Sequence, residues 1–197
     1  MTTILSFDIG IFNLAYANIT VNAIEETTIN KEKALNTVIN DWGILSLKSE
    51  TDSKKNDLNI LSRNLIALLY EKFSDVAYTT VLIENQPCMK NPTMKSIQMI
   101  VYSYFVMQSY LEGRSIDIKF VSASNKLKVK HKADVSHITT KVKYAQNKKY
   151  VVEYARNYLQ LTRELNMQWI DVFEKEKKKD DLADAYCQVL HFIETVL

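Results

Sequence analysis

Short apolar runs alternate with longer helical stripes along the chain, and together they predict an α/β protein. Continuous runs rich in β-forming residues predict five strands, which lie at residues 3–9, 12–20, 37–47, 78–84 and 116–121. Apolar residues recurring at spacings of three and four predict helices. The first helix follows Asp57, a candidate N-cap, and the second runs from Thr93 to Gly113. Three more are predicted at Lys149–Leu161, 164–178 and Asp180–Thr195. This order favours a mixed five-stranded sheet, an antiparallel meander followed by parallel strands, flanked by helices.

The connections are short except for two polar stretches. Residues 21–36 and 49–59 are predicted to be irregular, whereas a tight turn at Gly10 is expected to join the first two strands. The 197 residues include only three Gly and two Pro, so no long flexible linker is expected. A single domain over residues 1–197 is therefore predicted.

Composition and targeting signals narrow the class of protein. No signal peptide precedes the first strand, and no apolar window approaches the roughly 18 residues needed to span a bilayer, so we expect a soluble protein with no membrane partner. Cys88 and Cys187 are far apart and are expected to stay reduced, in a reducing compartment. With only these thiols and three His, a zinc site is not expected.

Positive charge is concentrated in one stretch. Residues 119–150 carry nine Lys and the single acid Asp134, a charge of +8, whereas the rest of the chain carries −6. Such a stretch is either a solvated surface or a rim that binds a polyanion.

Four acidic residues stand where a carboxylate contributes little to packing. Asp8 ends the first predicted strand and Glu84 the fourth, whereas Asp181 and Asp184 lie three residues apart on one face of the last helix. A buried carboxylate is costly unless a cation or hydrogen bonds compensate it. If the four converge, they form an oxygen-lined site suited to Mg²⁺. That arrangement is typical of a two-metal nuclease.

Each of these acids also has an ordinary structural interpretation. Asp8 can be a turn residue, Glu84 a solvated strand end, and Asp180 and Asp181 acids that favour a helix N-terminus. It is their combination that indicates a site. Asp180 also shares a helix face with Asp184 at a spacing of four, so whether Asp180 or Asp181 is the ligand stays open, and Asp180 can instead cap the helix.

Three motifs in this order resemble the RNase H-like superfamily. They are Ser6–Tyr16 (SFDIGIFNLAY), Val81–Gln86 (VLIENQ) and Asp180–Ala185 (DDLADA). More narrowly, they resemble Holliday junction resolvases of the RuvC, yeast mitochondrial and poxvirus branch. The size and the Lys/Asn/Ile-rich composition are most similar to the poxvirus resolvases, which implies host-cell cytoplasm at sites of viral DNA replication if the protein is viral.

The resemblance implies an activity and partners. It implies an RNase H-like fold and a homodimer that binds four-way DNA junctions and related branched DNA. The dimer would nick two opposed strands symmetrically with Mg²⁺, for which Mn²⁺ would substitute. A lysine after the fifth strand assists catalysis in related enzymes, and Lys126 occupies that position in this sequence.

These inferences combine into one hypothesis for the site. Two ions about 4 Å apart would act on the phosphodiester, with Asp8 bridging both, Glu84 on one and Asp181 or Asp184 on the other. Lys126 would orient the water or offset phosphate charge. DNA would be bound by lysines of the basic stretch: Lys126, Lys128, Lys130 and Lys132.

Several alternatives stay open. The protein can instead be a ribonuclease H or a YqgF-like nuclease acting on RNA or an RNA–DNA hybrid, or a branched-DNA-binding protein without catalysis. Asn85 and Gln86 either touch DNA or only close a loop, and the stripe from Tyr104 to Tyr110 is either core or dimer interface. Whether residues 126–147 are ordered without DNA is also open. Actin-like ATPases share the first motif, but three Gly cannot supply their phosphate loops.

Overall fold

The structure, a computed structural model, describes residues 2–22, 36–47, 57–89, 91–139 and 142–197. Its strands are β1 (Thr2–Asp8), β2 (Leu14–Val21), β3 (Thr37–Leu45), β4 (Thr80–Glu84) and β5 (Asp117–Val121). Its helices are α1 (Leu58–Phe73), α2 (Pro92–Leu111), α3 (Lys143–Leu161), α4 (Arg163–Lys175) and α5 (Lys179–Val196). Among these helices, none is both long and apolar enough to cross a membrane.

The five strands form one mixed sheet in the order β3-β2-β1-β4-β5. The first three strands pair antiparallel, whereas β4 pairs parallel with both β1 and β5. The predicted fold class is therefore confirmed. Phe7 of β1 is in register with Ile83 of β4, so the carboxyl ends of these two parallel strands meet at the same edge.

The two faces of the sheet bury different sets of side chains. Leu5 and Phe7 of β1 pack with α1 and α2, whereas Ile4 packs with α3, α4 and α5. Because strand residues alternate between faces, Ser6 and Asp8 share the face of Ile4. The acid that ends β1 therefore points toward α5, where the last acidic motif lies.

Local signals set several element boundaries as predicted. The Asp57 carboxylate accepts a 2.9 Å bond from the Asn59 amide and caps α1. Gly113, just beyond α2, has a φ of +61°, the left-handed conformation typical of a residue that follows a helix end. The polar stretches 21–36 and 49–59 lie largely outside the described residues.

Two boundaries differ from the prediction. The link between β1 and β2 is not a tight turn at Gly10 but the segment 9–13, and a Cβ on Gly10 would lie 2.2 Å from the carbonyl oxygen of Asn13. Helix α3 begins at Lys143 rather than Lys149. Its polar first turns have no apolar stripe, because they face a cleft rather than the core.

Asn166 anchors α4 to the edge strand β3. This fully buried side chain accepts a 2.8 Å bond from the Ile39 amide, donates to the Thr37 carbonyl at 2.8 Å, and donates to the Thr162 hydroxyl at 3.0 Å. The backbone of α4 is non-helical at this residue (φ −128°). The Asn166 amide thus forms hydrogen bonds with backbone groups of the edge strand that have no neighbouring strand to pair with.

Asn166→Ala is expected to lower the free energy of unfolding by about 2 kcal/mol, because it leaves buried strand groups without partners. Urea denaturation followed by circular dichroism measures this loss. Asn40→Ala on the same strand removes an exposed amide and is expected to cost less than about 1 kcal/mol. Equal losses in the two variants would contradict the anchoring role.

Candidate active site

Three elements bring buried carboxylates to one edge of the sheet. Asp8 ends β1, Glu84 ends β4 and Asp184 lies in the second turn of α5. Their residues are only 8%, 6% and 7% exposed. Three acids so deeply buried at one place need compensating charge or hydrogen bonds, and the predicted meeting of Asp8 with Glu84 follows from the parallel pairing of their strands.

Hydrogen bonds hold helix α5 against the sheet. The Ser6 hydroxyl donates to Gln188 Oε1 at 3.2 Å, and the Trp42 indole donates to the carbonyl of Leu182 at 3.0 Å. Asp181, Asp184 and Gln188 share one helix face by their spacing. The contact that holds Gln188 against β1 therefore also orients Asp184 toward Asp8.

The Lys126 ammonium stands between the three carboxylates. It lies on a short 3-10 helix, Asn125–Leu127, after β5. Its Nζ is 3.6 Å from Asp8 Oδ1 and 3.5 Å from Glu84 Oε1, and it donates a short hydrogen bond to Asp184. The residue predicted from the resemblance thus supplies the compensating charge for the acids.

The electrostatics of this cluster follow from burial and mutual repulsion. Burial, and next the charge of Glu84, raises the pKa of Asp8 well above its usual range. Burial raises the pKa of Asp184 to about 6, although Lys126 opposes the shift. Burial alone would lower the pKa of Lys126, but the three carboxylates outweigh it and raise that pKa. One ammonium therefore faces three acids, and the cluster favours further positive charge.

The cluster opens into a cleft of about 640 Å³, termed here the active cleft. Asp181 lines it beside Asp184, and Asn13 hydrogen-bonds the Asp181 carboxylate. Burial and the neighbouring Asp180 raise the pKa of Asp181. The structure thus places all four predicted acids on one cleft, with Asp181 outside the contacts of Lys126.

Asp180 does not line the active cleft. Its carboxylate forms an ion pair with Lys148 of α3, which lowers the Asp180 pKa although burial opposes the shift. The N-cap position of α5 is Lys178, without a side-chain capping bond. The suggestion that Asp180 caps the helix is therefore wrong, and Asp181 is the acid placed with Asp184.

The sequence allows two roles for Gln86, and in the structure its side chain contacts Glu84. Its Nε2 donates to Glu84 Oε2 at 2.7 Å, while its backbone amide donates to Oε1 of the buried Gln98, also at 2.7 Å. Asn85 instead accepts a 3.0 Å bond from Lys95. The signal for Gln86 was its spacing, because residues two apart in an extended chain point the same way.

The other predicted DNA-binding lysines lie on the surface beyond the cluster. Lys128, Lys130 and Lys132 are exposed, while Val129 between them is buried. Glu194 of α5 holds this segment by accepting a 3.0 Å bond from the Lys130 amide and a short bond from the Tyr158 hydroxyl. Their contact with DNA stays a prediction.

The donor set suits a hard cation. Among the residues that the structure describes, no group of three or more His, Cys, Asp or Glu side chains is already arranged to hold a metal ion. The acids Asp8, Glu84 and Asp184 instead surround the Lys126 ammonium. Their oxygens already converge on one cation, and carboxylate oxygen is the ligand that Mg²⁺ and Mn²⁺ prefer. The metal ligands and the number of ions stay a prediction.

A family model and a viral relative match parts of this sequence. Residues 4–99 match the family model described as Mitochondrial resolvase Ydc2 / RNA splicing MRS1. The matched region contains the motifs of Asp8 and Glu84. An uncharacterised protein of Acanthamoeba polyphaga mimivirus, L451, is 34% identical over an alignment of 155 residues, and the match covers 73% of this chain. The chain spans only 36% of the length of that relative.

Two solved structures share the fold. The yeast mitochondrial Holliday junction resolvase Ydc2 matches with a TM-score of 0.65 and 17% identity, over 98% of this chain and 79% of that chain. The Fowlpox virus resolvase, in complex with Holliday junction DNA, matches with a TM-score of 0.58 and 16% identity, over 100% of this chain and 99% of that chain. The chain has the fold of the RNase H-like Holliday junction resolvases, and the resemblance seen in the sequence is confirmed.

Proposed function

We propose that this protein is a metal-dependent endonuclease that resolves four-way DNA junctions and related branched DNA. The observation that carries the proposal is the convergence of Asp8, Glu84 and Asp184 on one cation in an open cleft. The family match and the resolvase fold support the choice of substrate.

The same acids would hold the metal. Asp8, Glu84 and Asp184 would provide the innermost oxygens, and Asp181 would add a ligand toward the mouth of the active cleft. Two Mg²⁺ or Mn²⁺ ions bound there would supply Lewis-acid stabilisation of the phosphate and a more acidic water. Lys126 would donate to a phosphate oxygen at the same edge and would offset the charge that develops there.

Paired symmetric nicks require two active sites on one junction, so the proposal includes a homodimer. The stripe from Tyr104 to Tyr110 divides in the structure: Tyr104 and Phe105 are core, whereas Met107 and Tyr110 are exposed. Met107 also lines an apolar groove of about 550 Å³ between α1 and α2. This groove is the surface that we assign to the dimer contact, because a large exposed apolar area favours association.

A binding protein without catalysis is the second candidate. It is favoured by the Lys126 ammonium, which already compensates the acids, and by the family description, which includes an RNA-splicing protein. On this alternative the cluster would be a structural feature, and the lysines would bind nucleic acid without cleavage.

Cleavage of a labelled synthetic four-way junction with Mg²⁺ tests the proposal, with linear duplex and RNA–DNA hybrid as controls. Paired nicks in opposed strands of the junction are the expected result. Cleavage of the hybrid alone would assign the protein to the ribonuclease alternative. Junction binding without cleavage under Mg²⁺ or Mn²⁺ would favour the binding protein.

Gln86→Ala is expected to raise the Mg²⁺ concentration required for half-maximal cleavage by about 10- to 100-fold, because the Gln86 amide orients the Glu84 carboxylate. Cleavage rates measured over a Mg²⁺ titration test this shift. Asn85→Ala is the matched control, since Asn85 accepts a bond from Lys95 and not from the site. A Mg²⁺ dependence unchanged from wild type would contradict the orienting role of Gln86.

A further inference from the structure

A second groove lies beside the active cleft. It has a volume of about 650 Å³ and is bounded by α3, by residues 137–139 and by the connection between α4 and α5. Its floor is apolar and includes Val152, whereas Lys149, Lys177 and Lys179 line its sides. Lys149 lies near the end of the basic stretch, but none of these three lysines is among the four named above as binding DNA, so the groove is not part of the site described above.

Little of the positive charge on the sides of the second groove is compensated by acids. Among the residues that the structure describes, no carboxylate forms an ion pair with Lys149 or Lys177. Lys179 donates to the backbone carbonyl of Glu176 at 2.8 Å, and the carboxylate that interacts with its charge, Glu174, is already paired with Arg156. Three ammonium groups around one concave surface favour a ligand that carries several negative charges.

The acids that line the same groove do not neutralise these lysines. Glu153 is bound by Arg156 at 2.5 Å, and Asp180 forms an ion pair with Lys148. Both carboxylates therefore already have a cationic partner of their own. The net charge that a ligand meets in the second groove is positive.

The second groove continues the active cleft. Lys148 lines both of them, from the first turns of α3. Tyr144, one turn earlier on the same helix, lines the active cleft only. A strand that passes the carboxylates and crosses α3 beside Lys148 would therefore enter the second groove.

We infer that the second groove binds the phosphate backbone of the DNA arm that leaves the active cleft. This inference rests on the proposed function, because it takes the DNA in the cleft as given. Lysine ammonium groups are point charges suited to successive phosphates, and the apolar floor suits the faces of deoxyribose. The groove fixes the direction of the arm and thereby the position of the scissile phosphate.

The test measures binding of four-way junctions with long and with short arms in EDTA, where metal-dependent cleavage does not interfere. The double variant Lys149→Gln/Lys177→Gln is compared with wild type over salt concentrations from about 50 to 200 mM. Each lost phosphate contact reduces the slope of log affinity against log salt by about 0.9. The expected result for long arms is a slope reduced by about 1.8 and an affinity about tenfold lower.

Short-armed junctions are expected to bind the double variant and wild type equally, because their arms end before the second groove. Lys72→Gln/Arg163→Gln is the control, since both of its basic residues lie outside the two grooves and outside the basic stretch. A wild-type slope for the double variant would overturn the inference. An equal loss of affinity for long-armed and short-armed junctions, as expected if the groove binds only free phosphate, would also overturn it. So would an equal loss of affinity in the control variant.

The outcome for the second groove can be separated from that of the proposed function. Cleavage is scored independently, with wild type and Mg²⁺. If the protein binds with the expected arm dependence but never cleaves, the inference about the second groove stands and the proposed nuclease activity is refuted. If the protein cleaves junctions but shows no arm dependence, the proposed nuclease activity stands and the inference about the second groove is refuted.

Discussion

Asp8→Asn is expected to reduce the rate of junction cleavage by at least about 1000-fold, because the proposed ions lose a charged ligand at the centre of the site. Asp8 lies at the end of the central strand, beside Glu84 and within 3.6 Å of the Lys126 ammonium. An amide keeps the shape of this side chain but removes its charge. Junction binding is expected to stay within about twofold of wild type, since affinity rests on contacts with the phosphates. Single-turnover cleavage and gel-shift titration measure the two quantities.

Asp180→Asn is the matched control for this change. Asp180 is an acid of the same motif as Asp181 and Asp184, but it forms an ion pair with Lys148 and does not line the active cleft. Cleavage by this variant is expected to stay within about fivefold of wild type, the effect of one partly exposed ion pair. Equal losses in Asp8→Asn and Asp180→Asn would show that acidic charge in general, rather than the cluster, supports cleavage.

The sheet could be predicted from the sequence because its signals are local. Tyr78–Glu84 is a short, continuous run of β-forming residues, and α1 and α2 carry apolar stripes at helical spacing, so strand and helix are distinguished within each segment. The order of these elements then restricts the sheet to a meander with parallel additions. Asp8 and Glu84 could be brought together on this basis alone, since the ends of neighbouring parallel strands meet.

The first turns of α3 could not be predicted in this way. Residues 143–148 lack an apolar stripe, and their helix is the continuation of the segment that packs through Val151 and Tyr158. A helical stripe marks only the part of a helix that contacts the core. The part that forms the wall of a cleft has the composition of a loop, so its sequence does not reveal a helix.

The motifs and the resemblance predict the acids and Lys126, but not the contacts that hold them in place. The placement of Lys126 depends on a contact between distant parts of the chain, in which Glu194 of α5 holds the backbone at Lys130. Gln98 supports Gln86 from the next helix. Neither contact leaves a pattern within one segment, because the partners are joined only by the tertiary fold.

Lys126 has opposing effects on stability and on metal binding. Its ammonium lowers the cost of burying Asp8, Glu84 and Asp184, yet it stands where their oxygens converge. A divalent cation bound by the same oxygens would take over the compensation and release the lysine. The resident ammonium and the metal therefore compete for one set of carboxylates, and the free energy of unfolding should report that competition.

Lys126→Ala is expected to destabilise the metal-free protein by about 3 kcal/mol, because removing one partner of a buried ion pair leaves uncompensated charge. Mg²⁺ is expected to recover most of this loss, since it binds the folded state of the variant without displacing an ammonium. Urea denaturation with EDTA and with Mg²⁺ measures both effects. Lys128→Ala removes an exposed lysine of the same segment and is expected to change the stability by less than about 0.5 kcal/mol in either buffer. If neither Mg²⁺ nor Mn²⁺ reverses the destabilisation, the carboxylates interact with Lys126 but do not bind a metal. That result would contradict the proposed metal site.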